Sequence, residues 1–211
     1  MGDRLRRLWN FDDLDATESR LRAQLEAETD DGGRAEVLTQ LARVCGLRDD
    51  FAAGEHFLED AERRAGPRKP ARIRVDLERG RLLRSAGDPA RALPLFVSAF
   101  HSAVAAGEEF LAADAAHMGA LAAPDRAGKL EWTQRGIAIA EASADRDVVY
   151  WLGPLLNNLG VEYAGAGEHE SALGAFERAL EVRLRYPENP DAIAWARESV
   201  EEARRALASQ A

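Results

Sequence analysis

Six residues of this chain recur at one fixed distance. Gly80, Leu83, Gly87, Ala92, Phe96 and Ala99 return 80 residues later as Gly160, Tyr163, Gly167, Ala172, Phe176 and Ala179. Two periods of 40 fall in the range of repeat architectures, in which each supersecondary unit buries one face against the next. The expected fold is therefore an all-α solenoid of antiparallel helical hairpins.

The hydrophobic spacing has the helical period throughout. Leu152, Leu155, Leu156, Leu159, Gly160 and Tyr163 paint one stripe, and Ala172, Leu173, Phe176, Ala179 and Leu180 paint a second. Gly165 and Gly167 supply the backbone freedom for the turn between them. The same design precedes it by two periods, where Asp88 reads as an N-cap and Pro89 as the first helical residue. A degenerate copy runs through Ala42, Cys45, Asp49, Gly54, Leu58 and Ala61. Another places Met118 and Leu121 in the first helix and Lys129, Thr133 and Gly136 in the second, around the turn Pro124-Asp125.

A lone helix is expected from about Asp13 to Glu28, closed by the turn Asp30-Asp31-Gly32-Gly33. A polar helix from about Asp191 to Ser209 follows the breaks at Pro187 and Pro190. The expected organisation is a single domain with an N-terminal segment and cap over 1–33. Hairpins follow over 34–66, 70–107, 108–145 and 149–186, then a C-terminal cap over 189–211, about ten helices and no sheet in all.

Composition narrows the classes of partner. With 211 residues, 46% of them hydrophobic, the chain can bury a sizeable core as one domain. Its formal net charge of −9 argues against a nucleic-acid footprint. No window suggests a membrane span or a secretory signal. Cys45 is the only cysteine, so no intrachain disulfide can form, and a reducing cytoplasmic setting is expected.

Each clear unit carries a small residue, a large one three positions on, then glycine; its second helix carries Ala, four on Phe, three on Ala. This spacing resembles the tetratricopeptide repeat, most closely from Asn157 through Tyr163 to Ala179. The resemblance covers residues 34–210 and departs from the pattern at Arg79, where the family has a large apolar residue, and at Thr133, where it has an aromatic. The whole chain, including Trp9-Asn10-Phe11-Asp12-Asp13, looks like a group of bacterial repeat proteins.

The resemblance implies a right-handed superhelix whose first helices line a concave face that holds ligand peptides. Carried over by position, the groove slots are Glu36, Thr39, Gln40, Arg43 and Gly46; then Arg74, Leu77, Glu78, Arg81 and Arg84. The third unit gives Ala112, Ala115, Ala116, Gly119 and Ala122, and the fourth Pro154, Asn157, Asn158, Val161 and Ala164. On the last helix the same rule gives Trp195, Glu198, Ser199, Glu202 and Arg205.

Arg43, Arg74, Arg81 and Arg84 gather at one end of this groove. Each guanidinium can grip a ligand carboxylate through two parallel hydrogen bonds, or pair with Glu78, Glu36 and Asp76 on a solvated helix face. Asn157 and Asn158 can bond a ligand backbone or serve the repeat's packing. The expected ligand is a peptide segment of a protein partner with acidic or C-terminal carboxylate groups. The chain is expected to be a monomer or weak homodimer; a self-assembling or architectural role, or sensing of a peptide or small molecule in the same groove, are the alternatives.

Chemistry has few candidates. Asp114 and His117 lie three apart on a helix, one ligand or more short of a metal site, and His56, His101 and His169 add none. No phosphate loop or nucleophile arrangement stands out. The expectation is a non-catalytic chain without metal or cofactor.

Overall fold

The computed structural model describes residues 3–209; Met1, Gly2, Gln210 and Ala211, the ends of the expected 1–33 and 189–211 segments, lie outside them. Among the described residues every regular element is helical. A short 3-10 turn, Arg6–Leu8, precedes α1 (Leu14–Ala27). Four hairpins follow: α2 (Asp31–Leu47) with α3 (Phe51–Ala65), α4 (Lys69–Ser85) with α5 (Pro89–Ala106), α6 (Glu109–Ala122) with α7 (Arg126–Ala142), and α9 (Leu152–Gly165) with α10 (His169–Arg183). A single turn, α8 (Arg146–Val149), leads into α9, and α11 (Pro190–Ala208) packs on α10.

Aspartates start many of these helices. The carboxylates of Asp13, Asp30, Asp50, Asp88, Asp125 and Asp145 each accept a hydrogen bond from a first-turn N–H. Such a cap is worth about 1 kcal/mol, because those N–H groups have no partner inside the helix. Asp30 also moves an expected boundary: it caps α2, so Asp31, Gly32 and Gly33 form the first turn of that helix instead of a loop.

Close helix approach explains the conserved spacing within the chain. A Cβ on Gly80 would lie 2.5 Å from the ring of Phe96, and one on Gly160 would lie 2.5 Å from that of Phe176. Phe96 is fully buried and Phe176 nearly so. Burying such a ring contributes about 1.5–3 kcal/mol. The third hairpin corrects the expected register: Gly119, not Met118, takes the close-approach position, with a Cβ there 2.9 Å from Trp132. The ring is Trp132 instead of the residue at Thr133 because α6 ends at Ala122, three residues past Gly119, whereas α4 runs five past Gly80 to Ser85, and because Trp132 also sits one residue nearer the start of its helix than Phe96 does.

The departure at Arg79 also acquires a cause. Its half-buried guanidinium spans from α4 to α3, 2.9 Å from Glu55 and 3.1 Å from Glu62, so ion pairs join two hairpins where an apolar contact was expected. Side by side, α2 touches α4 and α4 touches α6. That adjacency puts the first helices of the first three hairpins on a common side of the molecule.

Candidate functional site

The chain's own N-terminal segment lies against that side. Asp3 accepts a hydrogen bond from Arg74 Nη2 at 2.5 Å, and Arg4 pairs with Glu28 at 2.5 Å and Glu36 at 3.2 Å. Arg6 reaches Asp147 at 2.7 Å, on the loop-proximal turn α8, with its guanidinium 4.1 Å from the centre of the Tyr150 ring. The indole N–H of Trp9 donates to Gln40 Oε1 at 2.9 Å. This strap therefore runs from the first two hairpins to the entry of the fourth.

Between the strap and the helices is a cavity of about 370 Å³. Its wall takes residues from every first helix: Gln40 and Arg43 from α2, Arg74 and Arg81 from α4, Asp114, His117 and Met118 from α6, and Pro154 from α9. Trp9 and Phe11 of the strap, with Phe110, Tyr150 and Trp151, supply aromatic surface. A larger depression of about 660 Å³ between α3, α4 and α5 is faced by exposed charges such as Arg63 and Lys69, and gathers no buried polar group.

The arginines expected in the groove separate into distinct roles. Arg74, 5% exposed, is engaged by Asp3 and lies 3.7 Å from Glu36. Arg81 bonds Glu78 at 3.1 Å and Asp114 on the neighbouring helix. These partners answer only part of the expected pairing: Asp76 accepts from Ser98 at 2.7 Å instead. The face is also buried instead of solvated, since Glu36, Glu78 and Asp114 are all nearly inaccessible. Burial pushes the Glu78 carboxyl above the usual carboxylate range against the pull of Arg81 and Arg43.

Arg43 is different. Its guanidinium sits 5.1 Å from the ring centre of Trp9 and 5.5 Å from that of Phe11, and among the described residues it has neither a hydrogen-bond acceptor nor an ion-pair partner in contact. Burial and the like charge of Arg81 lower its pKa, while Glu78, Asp114 and Asp3 attract it from a distance. Arg84 stands outside the cavity lining, with Nε 3.4 Å from the Leu121 carbonyl.

His117 lines the cavity although its spacing in the sequence leaves it outside the expected groove slots. With Gly119 in the close-approach position, the expected groove slots of the third unit move to Ala113, Ala116, His117, Ala120 and Ala123. His117 then occupies the slot of Gln40, Glu78 and Asn158 in the other units. The side chains of His117 and Asn158 are 3.1 Å apart, and the His117 ring is 5.4 Å from that of Trp151. Burial lowers its pKa to about 4, so the imidazole is neutral at pH 7. A neutral ring that accepts the Asn158 amide at Nδ1 carries its proton on Nε2.

The remaining expected positions lie apart. Asn157 is half-buried on α9 and Trp195 is 69% exposed on α11, and neither lines the cavity. Cys45 is a free, half-buried thiol whose pKa is raised by burial and by Asp50. Among the described residues no group of three or more His, Cys, Asp or Glu is placed to hold a metal ion, and no helix is long and apolar enough to cross a membrane. No family model matches the chain, and no curated protein matches it.

Proposed function

We propose that the chain is a non-catalytic recognition scaffold: a superhelical array of tetratricopeptide-like hairpins whose inner face takes a polypeptide segment of a partner. The observation that supports this reading is intramolecular. Residues 3–11 already lie on that face, with an acidic side chain on Arg74, an indole on Gln40 and a basic side chain on Asp147. A face that holds one short segment through side-chain grips at both ends has the chemistry to hold another.

The strap also narrows the expectation of an open groove. A partner segment long enough to follow the first helices must displace residues 3–11 or leave them in place and bind beyond them. The test is a trans-binding measurement. A chain lacking residues 1–12, checked for retained helicity by circular dichroism, should bind a fluorescent peptide of residues 1–13, and the full chain should not. An Asp3→Asn peptide should bind less well. A folded, truncated chain that ignores the peptide would count against recognition on this face.

A second reading, assembly between copies, draws on the terminal helices. Trp195 and Leu184 are 69% and 50% exposed there. Light scattering of the full chain separates the two, since a monomer at high micromolar concentration removes this second reading.

A further inference from the structure

The cavity beneath the strap has a polar inventory that a ligand would complete. Its acids are already engaged: Asp3 by Arg74, and Asp114 together with neighbouring Glu78 by Arg81. Its imidazole is bonded to Asn158. Only Arg43 brings a full charge to the wall without a contacting counter-ion among the described residues. It is surrounded deeply enough for desolvation to lower its pKa, yet it keeps accessible surface, as a side chain on a cavity wall does. The π faces of Trp9 and Phe11 offset part of the cost of burying that cation, but they accept none of its N–H donors in a strong hydrogen bond.

From this geometry we propose that the cavity is a binding site for a small aromatic monocarboxylate, its carboxylate on Arg43 and its ring between the aromatic walls. Three features select that class. The volume, about 370 Å³, lies at the small end of ligand sites, which span about 300–1,000 Å³. Trp9, Phe110 and Trp151 line the cavity with aromatic surface for a ring, the Tyr150 ring being covered by the Arg6 and Arg183 guanidiniums, with Met118 and Pro154 filling between them. The anion should be singly charged, because Arg74 and Arg81 are already matched by Asp3 and Asp114 and Arg6 by Asp147, which leaves Arg43, among the described residues, as the one lining cation for a ligand to meet.

The site exists with the strap in place, so it does not depend on a partner displacing residues 3–11. Two of its walls, Trp9 and Phe11, belong to the strap, and a bound ligand would therefore hold the strap down. The inference goes beyond the peptide reading, and either can fail alone.

The experiment uses the full chain. Benzoate, indole-3-acetate, benzamide and benzylammonium are titrated in turn, followed by calorimetry, and by tryptophan fluorescence for the probes without an indole. Saturable binding of a carboxylate probe is expected, with benzamide and benzylammonium at least ~10-fold weaker, since a charge-assisted hydrogen bond carries about that discrimination. Arg43→Met should weaken carboxylate binding ~10-fold or more, and Arg43→Lys should restore part of it. Failure of both carboxylates to bind would overturn the site, as would equal binding of benzamide. The comparison among probes on the unaltered chain reads the proposal even if an Arg43 variant does not fold.

Discussion

At the N-terminal end of the molecule Arg74 and Glu36 keep only 5% and 3% of their surface, locked beneath a strap that crosses to the fourth hairpin. At the C-terminal end Arg204 of α11 meets Glu177 of α10 at 2.9 Å, and about half of each side chain stays exposed. Both are arginine–carboxylate contacts between neighbouring elements. They differ in what removing one partner leaves behind: at the strap a stranded buried charge, at α11 a charge that water takes over.

The largest expected effect follows from the buried end. Arg74→Ala strips Asp3 of its partner and leaves Glu36 to Arg4 and Arg68, at a cost of about 3–5 kcal/mol if the strap stays seated. If the strap lets go instead, the loss in urea denaturation is smaller, and residues 3–11 lose hydrogen-exchange protection. Wild-type stability together with wild-type protection would break the contrast between the two ends.

Between those ends, His117 gives the contrast a pH dependence. Its folded pKa, about 4, lies below the unfolded value of about 6.5, so between these limits the unfolded chain binds the extra proton. Stability from the neutral imidazole is present above about pH 6.5 and is lost as pH falls toward 4. The full loss is on the order of 3 kcal/mol. Denaturation midpoints taken from pH 7 to pH 4 should fall for the wild type and fall less steeply for His117→Gln. Parallel curves would place the titrating group elsewhere.

How much of this was legible in the sequence depended on whether a position repeats. Gly80 with Phe96 and Gly160 with Phe176 could be paired by spacing alone, and the structure brings both pairs into contact. The third hairpin could not be read so, because an early end to α6 brings Trp132 to Gly119 at a different separation. That one-residue shift hid His117 from the groove. The strap was invisible for another reason: Asp3, Arg6 and Trp9 follow no period, and their partners Arg74, Asp147 and Gln40 lie far along the chain. Arg43 could be placed on the inner face by its slot, but its lack of a contacting acid is a fact of packing that no spacing carries.

A smaller effect separates the hairpin turns of the two ends. Gly87 and Gly167 take left-handed backbone, at φ 87° and 75°, between the helices of the second and fourth hairpins. Asp49 takes the matching turn of the first hairpin at φ 58°, where a side chain is strained. The N–H after each of these residues bonds back to the helix alike, Asp50 to Cys45, Asp88 to Leu83 and Glu168 to Tyr163, at 2.9–3.0 Å. Asp49→Gly should therefore stabilise the chain by about 0.5–1 kcal/mol, read as a higher denaturation midpoint. Destabilisation would mean that the Asp49 side chain contributes more than its backbone costs.

The smallest effect tests the exposed end. Arg204 donates to Glu177 at 2.9 Å and lies 3.0 Å from Glu201 one turn back on α11, so its removal breaks two ion pairs at once. All three side chains are about half exposed or more, and water and salt already compete for them. Ordering two long side chains also costs entropy that the mutation returns. Arg204→Ala should change stability by less than about 0.5 kcal/mol, and added salt should shrink even that. A loss of about 2 kcal/mol or more would mean that α11 is held to α10 by charge as firmly as the strap is held to α4, and the distinction between the two ends would fall.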